Sequence, residues 1–214
     1  MREAVPGATI HAVVHDLSGE TGARAFIDDA ASRFGRLDVL VTNSGGPTPG
    51  SFDQLSVADV RDSVGGSLMA PIAMIHAAVP YMRERKWGRI VNVMSITVKQ
   101  PRSSLLVSST MRTGLMGYAR TIANDLARDN ITVNNVAPGY TRTERLDELA
   151  EHTSETQKKS IEEVVSAWER DIPAQRLGTP GELAAVVTFL ASERASYVTG
   201  TTIQVDGGWV QSLY

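Results

Sequence analysis

Arg89-Ile90-Val91-Asn92-Val93-Met94-Ser95 is a short apolar run that ends on a hydroxyl. Ile90 to Val93 predicts a buried strand, because so brief an apolar stretch suits a sheet covered on both faces. Similar runs lie on either side of it. Thr9 to Val14 ends at His15-Asp16, and Val39 to Thr42 leads into Asn43-Ser44-Gly45. Ile131 to Val136 stops at Pro138-Gly139, and Thr202 to Val205 closes on Asp206-Gly207-Gly208.

Helical patterns separate these strands. Ala23, Ile27, Ala30, Ala31 and Phe34 share one face, with Gly35 as a C-terminal stop. Ser56 opens a second helix with Asp59 three residues on, and its stripe runs Val60, Val64, Leu68, Ile72, Ile75, Val79, Met82. A third carries Leu115, Tyr118, Ala119, Ile122, Ala123 and Leu126. Ser160-Ile161-Glu162-Glu163 and Thr179-Pro180-Gly181-Glu182 are capping boxes that start two more. Alternating strands and helices imply an α/β fold with a doubly wound parallel sheet, here one domain over residues 1–214.

Bulk properties narrow the classes. A net charge of −3 over 214 residues gives no electrostatic case for nucleic acid. With no cysteine, disulfides and thiol nucleophiles are excluded. The longest apolar run, Leu68 to Met82, contains His76 and two prolines and is short for a membrane span. The expectation is a soluble, cytoplasmic protein with no membrane partner. No His-x-x-x-His pattern or carboxylate cluster suggests a metal, and no Gly-x-Ser-x-Gly suggests a hydrolase.

Several motifs stand in a telling order. Thr42-Asn43-Ser44-Gly45 resembles the Asn-Asn-Ala-Gly signature of the short-chain dehydrogenase/reductase family. Pro138-Gly139-Tyr140-Thr141-Arg142-Thr143 resembles its Pro-Gly-x-x-x-Thr, while Val198-Thr199-Gly200 and Val205-Asp206-Gly207-Gly208 look like its C-terminal end. Each is weak alone, since an Asn-Ser-Gly run is also simply a turn. Together they span the chain from Gly7 to Gly208.

The resemblance implies a Rossmann-like fold, NAD or NADP as cofactor, a small-molecule substrate and a homodimer or homotetramer. Asp16 would face the adenine, and Asn43 and Gly45 would shape the turn near the adenosine ribose. Pro138, Gly139 and Thr143 would line the nicotinamide side, with residues 141–176 as a substrate lid. Glu144, Glu148, Glu151, Lys158 and Lys159 suggest that this lid is mobile.

Two departures from the family pattern follow. The opening strand, its Gly-rich pyrophosphate turn and the second strand are not in this sequence, a block of about 30 residues or more. Arg2 to Gly7 looks like the end of the family's second helix, so Met1 is expected to be an internal start. The Thr9–Val14 strand would then lack a neighbour, and Val39–Thr42 would have an open edge. The choice between NAD and NADP is left open with that block.

The second departure is at the active site. Ser95 matches the family's Ser, and Ser108, thirteen residues on, holds the place of its Tyr. Arg112 replaces the Lys, and Ser67 falls where the family has an Asn. Ser95, Ser108 and Arg112 are the catalytic candidates, with Arg112 also a cofactor contact. A Ser hydroxyl is a much weaker acid than a phenol, and Arg cannot relay a proton. Tyr140 and Lys99 are substitute donors, each weighed against a packing or surface role; His11, His15 and His76 read as structural. Three functions remain open. One is an oxidoreductase with a divergent site. Another is a non-catalytic nucleotide-binding or assembly partner, docking through Leu115, Tyr118, Ile122 and Leu126. The third is a halohydrin-dehalogenase-like lyase, which Arg112 fits and Ser108 does not.

Overall fold

The computed structural model describes residues 7–213. Its sheet has four parallel strands, β1 (Val39–Thr42), β2 (Gly88–Val93), β3 (Ile131–Pro138) and β4 (Thr202–Val205), in that spatial order. Arg2 to Pro6, read as a helix end, lie outside the described residues.

The helices are α1 (Glu20–Phe34), α2 (Val57–Val64), α3 (Ala70–Arg85), α4 (Leu106–Leu126), α5 (Glu144–Gln157), α6 (Ile161–Asp171) and α7 (Pro180–Leu190). Gly35 ends α1 in the left-handed region, at φ 67°. Ser56, Ser160 and Thr179 each form a complete capping box with Asp59, Glu163 and Glu182. α2 and α3 are one run joined by a π-helical turn, Gly65–Met69. A Cβ at Gly65 would stand 2.2 Å from the Ser18 carbonyl oxygen, so only glycine lets the chain before α1 cross here.

One sheet face is covered by α1, α3 and α4. Ile27, Ile75, Met82, Leu40, Ile90, Val133 and Ala123 form its core. α7 lies on the other face, where Leu190 meets Val91 and Val136. A third cluster forms beyond the strand ends, where Leu146, Val164 and Trp168 meet Met94, Ile96 and Trp209. The combined α2–α3 helix, Val57–Arg85, is long and apolar enough to cross a membrane, with mean hydropathy 1.3. Its apolar residues are those that pack on α1 and β2, the position of a core helix.

Three expectations are corrected. Thr9–Val14 is not a strand; it forms no ladder, and Val14 is fully exposed. Among the described residues no strand lies beside it, and β1 is an edge strand with Val39 and Val41 part-exposed. Phe34 points outward, edge-on to the His11 ring at 5.4 Å. His76 is exposed on α3 rather than set in its apolar face. Apart from these corrections, the segment 141–176 holds α5 and α6, with Leu146, Ala150, Val164 and Trp168 buried. On α4, Leu115 and Leu126 are core residues, while Tyr118 and Ile122 are half-buried against the same clusters.

Candidate active site

The carboxyl ends of β1, β2 and β3 open into a cavity of about 710 Å³. This is where open parallel α/β sheets place ligands, because the strands end there and loops replace them. Asn43 and Gly45 follow β1, Ser95 follows β2, Pro138 ends β3 and Gly139 follows it. Ser108 and Arg112 project from the first turns of α4, and Thr143 caps α5. All eight line the cavity.

Ser95 Oγ accepts from the Thr97 backbone N–H at 3.3 Å and from Thr97 Oγ1 at 3.1 Å. With its lone pairs so engaged, its own proton is free to point into the cavity. Arg112 Nε donates to Ser108 Oγ at 3.3 Å, one helical turn away, and its Nη1 donates to the Val93 carbonyl at 3.1 Å. Burial, and then the nearby Arg145 guanidinium, push Arg112 below the usual guanidinium pKa. The group stays a cation at neutral pH, tied to β2 and able to polarise the Ser108 hydroxyl.

Asp16 is not brought into this cavity. It is exposed, and its carboxylate accepts from the Ser18 N–H at 2.9 Å, which holds it below the usual carboxylate pKa. Its neighbours Leu17 and Ser18 line a second cavity of about 600 Å³, which shares the Asn43–Pro47 loop with the first. Ser67 lines that second cavity, buried in the π-helical turn. Lys99 lines neither. Gly139 also has a packing reason: a Cβ there would stand 2.8 Å from Asp206 Cβ, where the ends of β3 and β4 meet.

Sequence reasoning passed over Arg102 and Trp209, and left Tyr140 undecided. Tyr140 stacks on Trp168 with centroids 4.8 Å apart and meets Trp209 edge-on at 6.3 Å. Its hydroxyl accepts from Arg102 Nη1 at 2.5 Å. Burial raises its pKa more than Arg102 lowers it. Arg102 sits in an irregular loop with no periodicity to mark it. Trp209 follows the Asp206-Gly207-Gly208 turn, where the Asp206 carboxylate accepts from the N–H groups of Gly208 and Val210.

The residues present leave room for a dinucleotide at the strand ends. Asn43-Ser44-Gly45 is an irregular segment after β1, with open space where a Gly45 Cβ would point. Arg112 offers a fixed cation, and Leu183 and Val187 give an apolar wall.

The comparisons agree with that geometry. A family model described as enoyl-(acyl carrier protein) reductase matches residues 1–210. The NADPH-dependent reductase BacG of Bacillus subtilis (strain 168) is 33% identical over 97% of this chain and 80% of its own length. An acetoacetyl-CoA reductase of Acinetobacter sp. (strain RA3849) is 33% identical over 96% of this chain and 79% of its own. The crystal structure of YwfH, an NADPH-dependent reductase involved in bacilysin biosynthesis, superposes with a TM-score of 0.93 at 32% identity, covering 99% of this chain and 82% of that one. By sequence and fold over nearly its whole length, this chain belongs to the short-chain dehydrogenase/reductase family of NAD(P)-dependent oxidoreductases.

Proposed function

We propose that the protein reduces a carbonyl, or oxidises the matching alcohol, with NAD(P)(H) at a divergent form of the family's site. The observation that supports this most is the convergence of Ser95, Ser108 and Arg112 with Asn43, Gly45, Pro138, Gly139 and Thr143 on one cavity. NADPH is the first cofactor to try, since the bacilysin-pathway reductase that this chain resembles in sequence and structure is named as NADPH-dependent. Asn43, Gly45, Arg112 and Thr143 would hold it, with Pro138 and Gly139 along the nicotinamide side. When bound, it supplies the hydride for the carbonyl carbon.

The protein's part is to place and protonate the oxygen. Ser95 donates a hydrogen bond to the carbonyl oxygen from a hydroxyl whose acceptor sites Thr97 already fills. Ser108 donates the proton that completes the alcohol, its hydroxyl made more acidic by the Arg112 N–H on its oxygen. Arg112 keeps its own protons and stabilises the charge left behind. Residues 141–176, of which Thr141, Thr143, Arg145, Leu146 and Leu149 line the cavity, act as the lid that excludes water. The active form is a homodimer or homotetramer.

The test is a thermal melt with and without NADPH, followed by NADPH consumption over a panel of ketones and aldehydes. Ligand at about 100 times its Kd adds about 2.7 kcal/mol, a shift of several degrees for a chain of this size. A shift with turnover supports the reading. A shift without turnover favours the non-catalytic nucleotide binder, which the loss of the family's phenol at position 108 independently suggests. No shift counts against both.

A further inference from the structure

The lining of the larger cavity carries an excess of positive charge. Arg102, Arg112 and Arg145 all line it, and no Asp or Glu does among the described residues. Arg145 is partly spoken for, with Nη1 on Glu148 at 2.8 Å and Nη2 on the Pro47 carbonyl. Arg112 holds Ser108 and the Val93 carbonyl. Arg102 is different. It is half-buried, makes no ion pair among the described residues, and gives one N–H to a neutral phenol, Tyr140. Its guanidinium lies 4.4 Å from the centre of the Trp209 ring.

A planar guanidinium fixed on an aromatic face, with N–H groups to spare, is preorganised for two parallel hydrogen bonds to a carboxylate. The nearby Arg112 and Arg145 charges strengthen the attraction, and low dielectric around an apolar wall enlarges it. Leu146, Leu149 and Leu183 supply that wall. We infer that the substrate is a carboxylate-bearing carbonyl compound with an apolar body, its carboxylate held by Arg102. This substrate class rests on the oxidoreductase reading, and the binding site it describes can be measured without turnover.

The probes are benzoylformate and its methyl ester, which share a ketone and an aromatic body and differ in charge. Their binding is followed by calorimetry and by quenching of tryptophan fluorescence, with and without NADP. The acid should bind wild-type protein about tenfold or more tighter than the ester, the range of one charge-assisted pair. Arg102→Gln should abolish that preference while leaving the Kd for NADPH within twofold, and Arg102→Lys should retain part of it. Equal binding of acid and ester by the wild type overturns the inference with no variant needed. A preference that survives Arg102→Gln overturns the assignment to Arg102. A loss of NADPH affinity equal to the loss of acid affinity would assign Arg102 to a cofactor phosphate and overturn the substrate role. If the acid preference holds but NADPH is never consumed with any keto acid, the oxidoreductase reading fails and the carboxylate site stands.

Discussion

Asn92 Nδ2 donates to Asn135 Oδ1 at 3.0 Å, joining register partners on β2 and β3. The link is the centre of a longer chain. Thr42 Oγ1 on β1 donates to Asn92 Oδ1 at 2.8 Å, and Asn135 Nδ2 donates to Thr202 Oγ1 on β4 at 3.1 Å. One line of side-chain hydrogen bonds therefore crosses all four strands, from the last residue of β1 to the first of β4. Removing one partner leaves a buried amide unsatisfied, which costs about 1–3 kcal/mol. Asn135→Leu should lower Tm by about 2–12 °C, at about 2–4 °C per kcal/mol for this size. An unchanged melt would show that the ladder does not hold the strands in register.

Arg89 offers a contrast between the two ends of one ion pair. Its side chain is 0% exposed and donates to the carbonyls of Gly88, Asn130 and Ser192, while its partner Glu193 is 74% exposed. The guanidinium also lies 4.4 Å over the Trp87 ring. Arg89→Gln should cost about 1–3 kcal/mol, because it strands buried carbonyl acceptors. Glu193→Gln should cost less than about 1 kcal/mol, as exposed pairs do. Urea denaturation of the two variants checks the asymmetry; equal losses would refute it.

Glu182 gives an acid signature. Arg176, by hydrogen bonds, and then the Thr179 N–H and hydroxyl hold its carboxyl down at about 2. A depressed folded-state pKa means the stabilisation is present above the ordinary value of 4.5 and is lost as pH falls toward 2. Wild type should melt above Glu182→Gln at pH 6, and the two curves should converge as the pH approaches 2. A constant gap over that range would show that the α7 cap works by shape rather than charge.

The reaction chemistry can be split by variant. Ser95→Ala should lower kcat by about 10²–10⁴, as loss of a positioned donor does, with little change in NADPH affinity. Arg112→Gln should weaken both NADPH binding and turnover, since Arg112 holds Ser108 and is proposed to hold the cofactor. Ser108→Tyr with Arg112→Lys should raise the rate if the rest of the scaffold is competent. Steady-state kinetics with separate cofactor titrations distinguishes these outcomes.

Much of this protein is legible in one dimension. β1 and β4 fall where the apolar runs place them, and the Ser56, Ser160 and Thr179 caps form as their spacing predicts. These are local patterns: a cap needs only residues three apart, and a buried parallel strand needs only a short apolar run. The motif residues Asn43, Ser95, Ser108, Arg112 and Pro138 also meet in one cavity, because each follows or faces a strand end. Only the tertiary structure decided the rest. Thr9–Val14 has the composition of a strand, yet a strand exists only through a neighbour's N–H and C=O groups, which composition does not carry. Arg102, Tyr140, Trp168 and Trp209 come from a loop, a strand end, a helix and the C-terminal segment, and no spacing links them. Their assembly is set by packing across the sheet's carboxyl end, where long-range burial decides what short-range pattern cannot.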